Sequence, residues 1–133
     1  MTERELLDLA VTARERAYAP YSGFRVGAAL LSGMGRVYLG CNIENAAYSA
    51  TVCAERVALF RAVSEGERDF SALAIAGGAD ALNPACPPCG VCRQALSEFC
   101  PPDMPVILGD AEHLTVYRLS ELLPLGFSGQ DLT

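Results

Sequence analysis

The chain has 133 residues, 51% hydrophobic and 20% charged, which suits one packed domain over 1–133 and excludes long disorder. Its formal net charge is −6, and its ten cations, all arginine, are scattered, which argues against a polynucleotide partner. No apolar run has the length of a membrane span and no charged-then-apolar leader opens the chain, so a cytoplasmic protein without a membrane partner is expected.

Residues 2–17 read as an amphipathic helix. Leu6, Leu9, Ala10, Ala13 and Ala17 recur at helical spacing, and Thr2 with Glu5 has the form of a capping box. Ala19-Pro20-Tyr21-Ser22-Gly23 is a loop by its proline and glycine. Strands over 24–31 and 36–42, joined by Ser32-Gly33-Met34-Gly35, form a hairpin. Residues 43–51 are small and polar, a loop leading to a site. Residues 52–65 have helical composition, with Val57, Ala58, Phe60 and Arg61 spaced for one buried face and Gly66 as the stop. Residues 70–77 are almost wholly apolar and read as a buried strand, followed by a loop with three prolines over 78–88. A helix over 90–99 stops at Pro101-Pro102. The strand at 105–108 is then expected parallel to that at 70–77, because a helix crosses between them. A last strand at 114–119 and a short helix capped by Ser120 complete an α-β-β-α-β-α-β-β-α order. This order predicts a sheet sandwiched by helices.

Six cysteines without a secretory signal point to metal binding rather than a disulfide scaffold. Cys89-Gly90-Val91-Cys92 supplies two soft ligands at the start of a predicted helix, and Cys53 supplies a third at the start of another. Three protein ligands suit Zn²⁺, one per subunit, with the fourth tetrahedral position left for water. Cys86-Pro87-Pro88-Cys89 has the same spacing. Two prolines stiffen that segment, so Cys89 and Cys92 are favoured. Cys41 and Cys100 read as packing thiols, and His113, the only histidine, is remote in sequence.

Glu55, two residues after a ligand, is placed to move protons near the metal. Three thiolates on Zn²⁺ leave a net negative charge, and the adjacent Arg56 is the candidate to offset it. Arg93 either faces solvent or holds the Cys89–Cys92 loop. Asn42 and Glu44 alternate along an extended segment and so can present an amide and a carboxylate to one side.

Cys53-x-Glu55 followed by Pro88-Cys89-x-x-Cys92 resembles the three-cysteine zinc nucleobase deaminases. With Asn42-Ile43-Glu44-Asn45-Ala46-Ala47-Tyr48, Cys53-Ala54-Glu55-Arg56 and Leu122-Leu123-Pro124-Leu125-Gly126-Phe127, the chain is similar to the small homotetrameric cytidine deaminases from Tyr18 to Phe127. That resemblance implies a three-layer α/β/α fold with a five-stranded mixed sheet. It implies hydrolytic deamination of cytidine and deoxycytidine with release of ammonia, as in pyrimidine salvage. By resemblance Phe24 lines the base pocket, the backbone N–H of Ala54 meets the base carbonyl, Asn42 and Glu44 hold the ribose, and Phe127 completes another subunit's pocket. Deamination of a different aminopyrimidine nucleoside such as blasticidin S, and a non-catalytic structural zinc module, are the competing readings. A structural site would have a fourth protein ligand.

Overall fold

A computed structural model describes all 133 residues. The first helix, α1 (Glu3–Arg14), starts at a complete capping box: the Thr2 side chain accepts from Glu5 N, and Glu5 accepts from Thr2 N. It is shorter than the predicted 2–17. After Arg14 the backbone tightens into Arg16 N→Ala13 O and Ala17 N→Arg14 O bonds. Tyr18 is then drawn into an extended bridge with Ile43, through Tyr18 N→Asn42 O and Glu44 N→Tyr18 O.

Five strands follow: β1 (Arg25–Ser32), β2 (Val37–Cys41), β3 (Phe70–Gly78), β4 (Pro105–Gly109) and β5 (Leu114–Arg118). They form one sheet in the order β2-β1-β3-β4-β5. The expected hairpin is β1–β2. The β3–β4 pair is parallel, as expected, and the other pairs are antiparallel, so the sheet is mixed. Two helices cross the chain between strands, α2 (Ala54–Ser64) after β2 and α3 (Gly90–Phe99) between β3 and β4.

Alternation along the strands sorts the core into two sides. Ala29, Ala72, Ala74, Ala76 and Ile107 pack against Leu6, Leu7 and Ala10 of α1. Leu30, Leu73, Ile75, Val106 and Leu108 pack against Ala58, Leu59 and Ala62 of α2 and Leu96 of α3. The three-layer α/β/α arrangement with a five-stranded mixed sheet is therefore observed. Small residues let the helices sit close. A Cβ at Gly27 would lie 2.0 Å from Ala10 O, and one at Gly40 would lie 2.4 Å from Ala54 O, so α1 and α2 rest almost directly on strand backbone.

Three local expectations change. The buried stripe of α2 is Ala54, Glu55, Ala58, Leu59 and Ala62, while Phe60 and Arg61 face outward. The stripe follows i, i+1, i+4, i+5, i+8, one step off the predicted face. The last strand ends at Arg118 instead of 119, and α4 (Leu119–Leu122) is capped at Arg118, not Ser120. Burial of Leu119 and its N–H bond to Met104 O draw it into the helix, and the Glu121 carboxylate accepts from Arg118 N. Two short 3₁₀ turns, Tyr48–Ala50 and Gly129–Leu132, had no counterpart in the expected pattern.

Replacing Gly27 with valine forces α1 off the sheet. Urea unfolding should show a loss of about 2–3 kcal/mol relative to the parent chain.

Candidate metal centre and substrate pocket

The starts of α2 and α3 meet on the side of the sheet opposite α1. Cys53 is the N-cap of α2 and Cys89 the N-cap of α3, both in extended backbone without a side-chain cap bond. Cys92 follows in the first turn of α3 and is fully buried. The three sulfurs lie within 4.8 Å of one another, with Cys53 Sγ and Cys89 Sγ 3.6 Å apart. Sulfurs bound to one tetrahedral zinc at ~2.3 Å stand about 3.8 Å apart, so the cluster has the dimensions of a zinc site. The chemistry of the set agrees, since thiolates at two helix N-termini gain from the exposed N–H groups there. No fourth histidine, cysteine or carboxylate joins the cluster.

The sulfurs differ in how they hold a proton. A hydrogen bond from Cys92, with further bonds from Arg56 and Cys89, lowers Cys53 to about 5. The same sharing, together with burial, pushes Cys92 upward. Arg56 stands over Cys53, with Nη2 3.7 Å from Cys53 Sγ. Burial works against the Arg56 charge, but bonds to Cys53 and Cys92 outweigh it and raise its pKa. The Nε of Arg56 is buried without a partner, which fits a guanidinium turned towards a charge centre rather than towards solvent.

Glu55 projects from the first turn of α2 and is only 4% exposed. Burial raises its carboxyl to about 7, and the neighbouring Cys53 charge adds to the shift. It lines a cavity of about 360 Å³ together with Phe24, Asn42, Glu44, Cys53 and Cys89. The geometry therefore brings Cys53, Cys89, Cys92, Glu55 and Arg56 together, with Phe24, Asn42 and Glu44 at the adjoining wall. Ala54 is buried at the first position of α2, between Cys53 and Glu55.

Two polar groups in that wall are already tied down. Asn42 Oδ1 accepts from Val26 N and its Nδ2 donates to Phe24 O, both at 2.8 Å. The amide still has one free N–H and one free lone pair. The Glu44 carboxylate accepts from the Ser22 hydroxyl and from the N–H groups of Ser22 and Tyr21, which holds it below the usual carboxylate range. Ser22 was not singled out from the sequence. Pro20 and Gly23 mark the turn, but nothing local says which side chain points inward. Val26, Thr51 and Pro87 also line the cavity without an advance signal.

Cys86 lines the same cavity without joining the sulfur cluster, and burial pushes its thiol up to about 11. Cys100 is likewise buried, with its thiol pushed up to about 12, as a packing residue should be. Arg93 holds the metal loop rather than facing solvent: Nε donates to Pro88 O and Nη1 to Leu122 O, both at 2.7 Å. Next to it, Gln94 Nε2 donates to Phe127 O at 2.8 Å. Phe127 does not reach the cavity of its own chain. The residue is 57% exposed and lines a separate cavity beside Leu119 and Leu123. His113 sits in the β4–β5 turn, with Nδ1 2.9 Å from Asp110 Oδ1, and takes no part in the centre.

Comparison with known proteins agrees with this geometry. Residues 1–108 match the family model described as the cytidine and deoxycytidylate deaminase zinc-binding region. The chain is 53% identical over 137 residues to a cytidine deaminase of Sporosarcina psychrophila, with 100% of this chain and 96% of that protein covered. It is 52% identical over 136 residues to a cytidine deaminase of Halalkalibacterium halodurans, covering 99% of this chain and 98% of that protein. The crystal structure of cytidine deaminase from Burkholderia pseudomallei superposes with a TM-score of 0.88 at 44% identity, over 96% of this chain and 100% of that one. A match over most of the chain, full-length relatives above half identity and a shared fold lead to one conclusion: the chain belongs to the cytidine and deoxycytidylate deaminase family.

Proposed function

We propose that the chain is a zinc-dependent hydrolytic deaminase of free cytidine and deoxycytidine, forming uridine or deoxyuridine and ammonia. One observation carries the reading. A three-sulfur cluster and a buried carboxyl share a cavity with an amide and a carboxylate suited to sugar hydroxyls, in a chain 53% identical to a cytidine deaminase. The absence of a fourth side-chain ligand favours this over a closed structural zinc module.

Cys53, Cys89 and Cys92 hold the metal, which when bound supplies a Lewis acid that makes water nucleophilic near neutral pH. Glu55 would take a proton from the attacking water and deliver protons to N3 and to the departing amine. A carboxyl raised to about 7 accepts and returns protons near neutrality, which suits both transfers. Arg56 draws charge from the sulfurs, so three thiolates do not suppress the acidity of the centre. Phe24 stacks on the pyrimidine, and the N–H of Ala54, at the start of α2, meets the base carbonyl. Asn42 and Glu44 take the sugar hydroxyls; their bonds to β1 and to the 21–22 turn fix them in place before substrate arrives.

Residues 1–108 of the family match contain the metal ligands, and 1–133 would act as a single deaminase domain. The exposed Phe127, held by Gln94, is available to close a neighbour's pocket, which supports a homotetramer with shared sites. Exposed Tyr48 and Phe60 add apolar surface for such packing. No helix is long and apolar enough to cross a membrane, and the reading places the enzyme in cytoplasmic pyrimidine salvage.

Ultraviolet assay of Glu55→Gln should show kcat on cytidine reduced by about 10²–10⁴-fold with zinc retained; normal turnover would remove Glu55 from the proton path. Metal analysis should find one zinc per subunit in Cys86→Ser and little in Cys89→Ser or Cys92→Ser. Phe127→Ala should raise KM for cytidine about tenfold while leaving the zinc content unchanged, as a lost aromatic wall would. Sedimentation of the parent chain should give a species of four subunits.

A further inference from the structure

The cavity has one wall that the proposed chemistry does not use. Cys86 faces it from the proline-rich loop, beside Pro87 and Cys89. It is 7% exposed and stands outside the sulfur cluster. This inference rests on the proposed reading of cytidine as substrate, and its placement follows from the order of atoms in the ring. The sugar lies towards Asn42 and Glu44. N3 lies towards Glu55 on α2, and the amino-bearing C4 lies at the sulfur cluster. C5 adjoins C4 on the side opposite N3, so it faces away from α2. Cys86 and Pro87 line the cavity from a loop that belongs neither to α2 nor to the Asn42–Glu44 wall, and in this reading they are the side chains left to meet that edge.

The backing of Cys86 is tight. A Cβ at Gly77 would come within 2.7 Å of Cys86 Sγ and 3.0 Å of Val26 Cγ2. A larger side chain at 86 therefore has no room to retreat into the sheet. Nor can its backbone yield easily, because Pro87 and Pro88 follow and lead directly to the ligand Cys89. With the sheet side closed by Gly77, the cavity is the open side towards which a change of bulk at 86 is expressed.

We propose that Cys86 is a specificity-determining residue that borders the C5 edge of the pyrimidine and sets the size of the 5-substituent the pocket accepts. A pocket discriminates one methylene by roughly 10–200-fold, so one side chain here has a measurable effect. The test compares kcat/KM for cytidine, 5-fluorocytidine and 5-methylcytidine in the zinc-loaded parent, Cys86→Ala and Cys86→Ile. A second readout is the ratio of dissociation constants for uridine and 5-methyluridine by calorimetry. Cys86→Ala should raise the 5-methylcytidine-to-cytidine ratio of kcat/KM at least about tenfold, and Cys86→Ile should lower the 5-fluorocytidine-to-cytidine ratio by a similar factor. The binding ratios should move in the same directions. Should Cys86→Ile fail to fold, Cys86→Ala and its binding ratio decide the matter alone. A parent chain that deaminates cytidine while the variants keep the parent's ratios overturns the assignment of Cys86. A zinc-loaded parent that releases no ammonia from cytidine overturns the proposed function and this assignment with it.

Discussion

Three sulfurs held within 4.8 Å of one another are the constraint on which the site depends. Thiolates so close repel unless positive charge surrounds them. The chain supplies that charge from two helix N-termini and the Arg56 guanidinium, and a bound zinc would add to it. The sheet makes the meeting possible. The parallel β3–β4 pair requires a crossover, and that crossover is α3, whose first turn carries Cys92. Gly40 brings α2 down onto β2 so that its start, with Cys53 and Glu55, lies beside the start of α3.

Glu55 illustrates how position sets chemistry. On an exposed helix start a glutamate would be an ordinary carboxylate stabilised by the dipole. Here burial and the adjacent Cys53 charge raise its carboxyl to about 7. Asn42 and Glu44 show the opposite treatment: Val26 N and Phe24 O hold the two ends of the Asn42 amide, and the Ser22 hydroxyl, with the N–H groups of Ser22 and Tyr21, lowers the Glu44 pKa. Glu55 and the Asn42–Glu44 pair thus occupy one cavity in different electrostatic surroundings. A separate groove of about 460 Å³ between α1, β2 and α2 contains Arg16, Cys41 and Arg61 but no such pairing of groups.

Much of this was readable from residue spacing. The capping box at Thr2, the apolar run at 70–77 and the crossover before 105 carry strong local signals, and all three appear in the fold. The sulfur cluster was readable because its ligands sit at helix starts, where sequence marks boundaries well. What escaped depends on tertiary contact. The end of α1 is fixed by Tyr18 pairing with Ile43, which no local pattern announces. The face of α2 differs from expectation because its two apolar edges are similar and only packing on the sheet chooses between them. Ser22 and Pro87 enter the cavity through loop geometry alone.

Arg93 and Gln94 are consecutive, and they reach Leu122 O and Phe127 O from the turn that bears Cys92. The last dozen residues are therefore fastened to the metal loop rather than hanging from the body of the protein. An affinity tag fused after Thr133 would pull on that loop. One fused ahead of Met1 would hang from a helix whose start is already closed by Thr2 and Glu5, and is the safer handle for purification.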